Sequence, residues 1–152
     1  MRWLLTLLLP AFLLAATVSA APAPGRVMKV LPHYLDLKGR HTLSPSLYDR
    51  DAYQAQLRLH PVKRSALRFD VLWKAKSATQ PKLRVELRGV PREKFSGQRV
   101  LEQPVNPKGW FGTWSAIILS DADCKGLGEV TAWRVTLWDG EQLLGEQRSF
   151  LW

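Results

Sequence analysis

Between Ser65 and Lys76 the chain reads SALRFDVLWKAK. Leu67, Phe69, Val71 and Trp73 fall on one side, and Arg68, Asp70, Lys74 and Lys76 on the other, with Leu72 the single exception. Successive side chains of a strand point to opposite faces, so this period of two defines a half-buried β-strand; a helix would mix the two sets. The same rule applies to KLRVELRGV, where Leu83, Val85 and Leu87 alternate with Lys82, Arg84, Glu86 and Arg88 until Gly89 ends the run. It applies again in YQAQLRL, where Tyr53, Ala55, Leu57 and Leu59 alternate with Gln54, Gln56 and Arg58 before His60-Pro61. A chain dominated by such segments buries one face of each sheet and wets the other, which is the antiparallel all-β pattern.

The remaining elements fit that frame. Val27–Leu31 reads as a short strand that Pro32 interrupts, and Tyr34–Leu37 as its continuation at a sheet edge, where proline is tolerated. Ser46–Tyr53 is compatible with one helical turn or plain connection. Within the polar, proline-containing stretch Pro91–Gly109 only RVLEQPV is suited to a short edge strand. WFGTWSAIIL, from Trp110 to Leu119, is rich in aromatic and branched residues and reads as a strand. Ser120–Gly128 holds a turn or a single helical turn. The last segment, from Glu129, reads as strand, tight turn and strand, with Asp139-Gly140 as the two-residue turn and a return strand from about Gln142 to Leu151, so that the apolar ending SFLW docks in the sheet.

The first twenty residues have a different character. Arg2 precedes an apolar stretch from Trp3 to Ala16, and Val18-Ser19-Ala20 fits a small-x-small cleavage site. This is the layout of a signal peptide. A membrane anchor needs about 20 mostly apolar residues, and this stretch is shorter and broken by Pro10. The expected organisation is a signal peptide over 1–20, a Pro-rich leader over 21–25 and one domain over 26–152, exported to a periplasm or beyond the cell, with no transmembrane segment after cleavage. The single cysteine, Cys124, allows no internal disulfide, and Asn106-Pro107 leaves no glycosylation sequon.

About seven or eight strands and no long helix point to an antiparallel β-sandwich, immunoglobulin-like or fibronectin-III-like. The likeness is architectural, spans most of Gln54–Trp152, and carries no functional residues with it. The Cys–Cys bridge of antibody domains is impossible here.

Catalytic signatures are absent. The three histidines, His33, His41 and His60, have no ligand-like spacing. No Gly-rich phosphate loop or GxSxG elbow occurs. Cys124 sits between Asp123 and Lys125, which pull its acidity in opposite directions. The sequence therefore reads as non-enzymatic, with no catalytic, metal or cofactor residues, the alternative being a hydrolase built on scattered carboxylates.

Two features suggest binding. The formal net charge is +9, and twelve Lys or Arg between Arg58 and Arg99 face only Asp70, Glu86 and Glu93. Arg68, Lys74 and Lys76 on one strand and Lys82, Arg84 and Arg88 on the next would form a basic sheet face if those strands were neighbours. Its partner would be an exported protein or an anionic envelope polymer, since export argues against nucleic acid. The alternative is a carbohydrate-binding platform of Trp110 and Trp114, four apart and hence on one face of a strand. Trp138, beside the hairpin turn, is the tryptophan expected to be most exposed and able to anchor a partner.

Overall fold

A computed structural model describes residues 24–90, 97–109 and 111–152. The expected signal peptide, most of the leader and Trp110 lie outside the described residues. Seven strands form two antiparallel sheets, an all-β sandwich. The strands are β1 (Gly25–Asp36), β2 (Arg64–Ala75), β3 (Pro81–Val90), β4 (Gln98–Pro104), β5 (Thr113–Ser120), β6 (Glu129–Asp139) and β7 (Gln142–Arg148), with helices α1 (Leu47–Leu59) and α2 (Asp121–Leu127). One sheet has the order β1-β2-β5, the other β4-β3-β6-β7.

The alternation explains the core. Leu67, Phe69, Val71 and Trp73 of β2 are buried against Leu83, Val85 and Leu87 of β3 and Val135 and Leu137 of β6. Phe69 meets Trp133 edge-on with ring centroids 6.3 Å apart. Trp73 is wholly buried, and its indole N–H donates to Ser115 Oγ at 2.9 Å, which satisfies the one polar group that a buried tryptophan brings.

The structure corrects four expectations. First, Tyr53–Leu59 is not a strand but the second half of α1. Its Ala, Gln, Leu and Arg are strong helix formers. Ser46 caps the helix by accepting the Asp49 N–H, and Asp49 itself suits the positive helix N-terminus. Gln54 and Leu57, three apart, are the buried pair, while Ala55 and Leu59 face solvent. Over seven residues the period of two was a coincidence of composition. Second, β1 runs unbroken through Pro32, because it is an edge strand and needs no donor there. Third, Asp139 pairs with Gln142, so the turn residues are Gly140-Glu141. Only Gly140 has positive φ (56°), at the first central position that this turn class reserves for glycine. Fourth, β7 stops at Arg148; Ser149 still bonds Trp133 of β6 through its backbone N–H and its hydroxyl, and the chain turns after it. Phe150 and Leu151 are exposed, and Trp152 folds back under Arg88 and Arg134.

Among the ties that hold helix α1 to the sandwich, one side chain serves the backbone of edge β1. The buried Gln54 accepts the Tyr34 N–H at Oε1 (2.8 Å), and its Nε2 donates to the carbonyls of Tyr34 (2.9 Å) and His41 (2.7 Å). It replaces the strand that edge β1 lacks. Gln54→Ala would leave these backbone groups without partners. It is expected to destabilise the protein by about 2 to 4 kcal/mol, read as a lower urea midpoint.

Candidate functional site

β2 and β3 belong to different sheets, so the six basic residues do not make one face. Lys82, Arg84 and Arg88 lie outside the four-stranded sheet, Arg68, Lys74 and Lys76 on the three-stranded one. The two groups point away from each other.

On the four-stranded sheet the charges are engaged within the molecule. Lys82 Nζ lies 2.8 Å from Glu102 Oε2, and Arg84 Nε donates to Glu102 Oε1 at 2.6 Å. Hydrogen bonds from Lys82 and then Arg84 hold the Glu102 carboxyl below its ordinary value. Arg134 bonds Glu86 at 2.5 Å. The guanidinium of Arg84 stands 5.3 Å from the Trp138 ring centre, and those of Arg88 and Arg134 stand 4.0 and 5.0 Å from that of Trp152. Trp138 is half-buried, with its indole N–H on Thr136 Oγ1, so it is not the open anchor the sequence suggested.

The three-stranded sheet differs. Arg68 is paired with Asp70 at 2.7 Å, but Lys74 and Lys76 make no ion pair with a described residue. Arg26 of β1 stands directly opposite Lys74 in the antiparallel register, and Lys29 stands opposite Leu72. Like charges opposite each other on one face destabilise a sheet, so nothing in the fold itself calls for this pairing. Beside the cations lie exposed apolar side chains, Met28, Trp114 (52% exposed) and Phe111, while the exposed Ile118 (54%) stands farther along β5, opposite Arg68. Trp114 pairs across the strands with Leu72. Thus the structure brings Lys74 and Lys76 together with Trp114, and separates both from Trp138.

Sequence reasoning missed Arg26 and Lys29. A register shift between Val27 and Lys29 places a bulge at Met28, and no alternation survives across it. The signal that remained was Arg-Val-Met-Lys itself, two cations on a strand already assigned to an edge.

The two ends of the sandwich carry other polar groups. His33 and His41, remote in the sequence, have ring centroids 5.1 Å apart, and His33 Nε2 is 4.0 Å from Asp70. Burial and the neighbouring His41 hold His33 below its ordinary value. Among the described residues no group of three or more His, Cys, Asp and Glu is arranged to hold a metal ion. A groove of about 480 Å³ is lined by Tyr34, Leu59, Pro61, Ala66, Val130 and the half-buried Cys124. Its Arg64 stacks on Tyr34 and donates to the Leu57 and Arg58 carbonyls, which commits that cation to ending α1. Among the described residues no helix is long and apolar enough to cross a membrane.

Asp36 closes the connection from β1 towards α1. Oδ1 accepts the backbone N–H groups of Lys38 and Arg40, and Oδ2 accepts from Arg40 Nε and the Tyr53 hydroxyl, all within 2.9 Å. Burial pushes its pKa up, but the bonds from Arg40, Tyr53 and Lys38 outweigh burial and hold the carboxyl far below the usual range. No family model, curated protein or solved structure matches the chain.

A folded-state pKa below the unfolded one contributes stability above the unfolded value, about 3.9, and that stability is lost as pH falls further. Asp36→Asn is therefore expected to lower the melting temperature clearly at pH 7. Its deficit relative to the unmodified protein should shrink steadily below about pH 4, in thermal melts across a pH series.

Proposed function

We propose that this protein is an exported, non-enzymatic interaction domain, which docks on an anionic component of the cell envelope through the outer face of its three-stranded sheet. The observation that carries this reading is the cross-strand couple Arg26–Lys74, which makes no ion pair with a described residue, with Lys29 and Lys76 beside it and Trp114, Met28 and Phe111 on its border. Cations that face each other without carboxylates fit an anionic ligand better than they fit the fold, and exposed apolar neighbours add contact area once the charges have engaged. Export rests on the character of residues 1–20.

We further infer that the sandwich is of the immunoglobulin or fibronectin-III type. Three strands face four, and the chain changes sheet between β2 and β3, between β4 and β5, and between β5 and β6. That architecture hosts many binding functions, so the ligand class is argued from the face and not from the fold.

A second reading is favoured by one observation. Trp114 is half exposed on an open sheet face, where an indole can stack on a sugar ring. A glycan that quenches the emission of Trp114, with no dependence on salt, would support carbohydrate binding instead.

The test is co-sedimentation with vesicles rich in phosphatidylglycerol and with purified envelope material, over a salt series. The unmodified protein is expected to sediment and to be released by salt, because exposed charges are screened within about 10 Å at 0.1 M. Reversing Arg26, Lys74 and Lys76 to Glu should weaken association by at least about a hundredfold, since loss of about 1 kcal/mol for each cation near an anionic surface already gives that factor and the new carboxylates add repulsion. Reversing Lys82 and Arg84 on the opposite sheet should change it by less than about threefold, since exposed paired charges contribute little. Equal losses from both sets, or none from either, would remove this face as the site.

A further inference from the structure

A two-sheet sandwich has four edges, each a row of backbone donors and acceptors able to recruit another strand. Three are blunted here. Edge β1 carries Pro32 and two register shifts, and Gln54 takes both backbone groups of Tyr34. Edge β7 carries Glu146 and Arg148 and lies against β1, so closely that a methyl group on Gly145 would come within 2.8 Å of the Arg26 Cα. Edge β4 is seven residues long and carries Arg99, Glu102 and Pro104.

Edge β5 has none of these devices. Its eight residues, TWSAIILS, hold no proline, and they pair with β2 without a register shift. It is the one strand of the seven described without a charged residue, in a chain with 22 Lys and Arg and 13 Asp and Glu. No described strand covers its outer side. Trp114 and Ile118 project from the outer face, both more than half exposed.

We propose that β5 is a self-association edge, on which a second copy of this chain pairs antiparallel about Ala116. The argument for a second copy, and not an unrelated strand, is electrostatic. A two-fold axis brings the central residue against itself, so a charge there would meet its like, and sets each flanking residue against the one equally far on the other side of the centre. Two copies of a basic chain pair with least repulsion along an uncharged strand, and among the described strands only β5 is uncharged. An acidic partner strand would instead call for Lys or Arg along the edge.

The register follows from the pleat. Residues opposite each other in an antiparallel pair share a face. Pairing about Ala116 sets Trp114 across from Ile118 of the other copy on the outer face, an aromatic–branched pair of the kind that stabilises sheets, and Thr113 across from Leu119 on the inner face. The result is a continuous six-stranded sheet. Lys74 and Arg26 lie beyond the Thr113 end of β5, so the antiparallel arrangement sends the two basic clusters to opposite ends of the joined sheet.

The test is analytical ultracentrifugation of the purified protein from low to high micromolar concentration, together with site-directed cross-linking. The mass is expected to double with concentration. Ala116→Lys, which sets two lysines against each other on the axis, should raise the dimer dissociation constant at least about tenfold. Circular dichroism checks its fold, and Ile118→Lys at an exposed position serves in its place if Ala116→Lys is unfolded. In a Cys124→Ser background, Ala116→Cys is expected to oxidise to a covalent dimer, because cross-strand Cα atoms lie about 4.5 to 5.5 Å apart, within disulfide reach. Ile118→Cys should not, since its mate in this register is Trp114. A protein that stays monomeric at every concentration, or one that cross-links through position 118 and not 116, would overturn the proposal. Neither result bears on vesicle binding by the basic face, which a monomer can perform.

Discussion

Between Ala75 and Pro81 the chain leaves one sheet and enters the other, and most of what the molecule presents to a partner follows from that crossing. The hydrophobic requirement behind it is simple. β2 and β3 each carry one apolar face, and the two faces satisfy each other only across the sandwich, with Trp73, Phe69 and Leu83 between them. Ser77 takes a positive φ of 58° to make the bend. The Asp139 carboxylate accepts the backbone N–H groups of Thr79 and Gln80 and so anchors the crossing to the far end of β6. Two strands that look like neighbours in sequence thus turn their wet faces in opposite directions.

The alternation in β2 and β3 made their inward residues legible, because burial on one face imposes a period of two that no other regular structure shares. It made the existence of a sandwich legible too. What it could not convey was which strands share a sheet, since pairing depends on crossings whose residues, Lys76 to Gln80, are equally suited to a hairpin or an arch. Helix α1 was misread for a related reason. Its buried face needs only Gln54 and Leu57, and a polar residue that buries itself to serve the backbone of Tyr34 is invisible to a search for apolar periodicity.

The candidate site was half legible. Lys74, Lys76 and Trp114 are all visible as outward residues of strands, but their meeting depends on β2 pairing with β5. Arg26 and Lys29 were hidden by the bulge at Met28, and Asp36 by a role fixed entirely by turn geometry. Conversely, Arg84 and Arg88 looked available because their partners Glu102 and Trp152 lie on other elements, remote in sequence. Charge counted along a chain overstates the charge a surface offers whenever the neutralising carboxylates arrive from elsewhere.

The opposition of Arg26 and Lys74 has a thermodynamic corollary. Two cations held on one face raise the energy of the folded state but not of the unfolded chain, where they are far apart on average. Whatever neutralises them is therefore linked to folding: added salt lowers the repulsion by screening, and a bound polyanion removes it while contributing attraction of its own. If the proposed ligand binds there, it and the native structure would stabilise each other by the same free energy, and occupancy would protect this end of the domain against local opening.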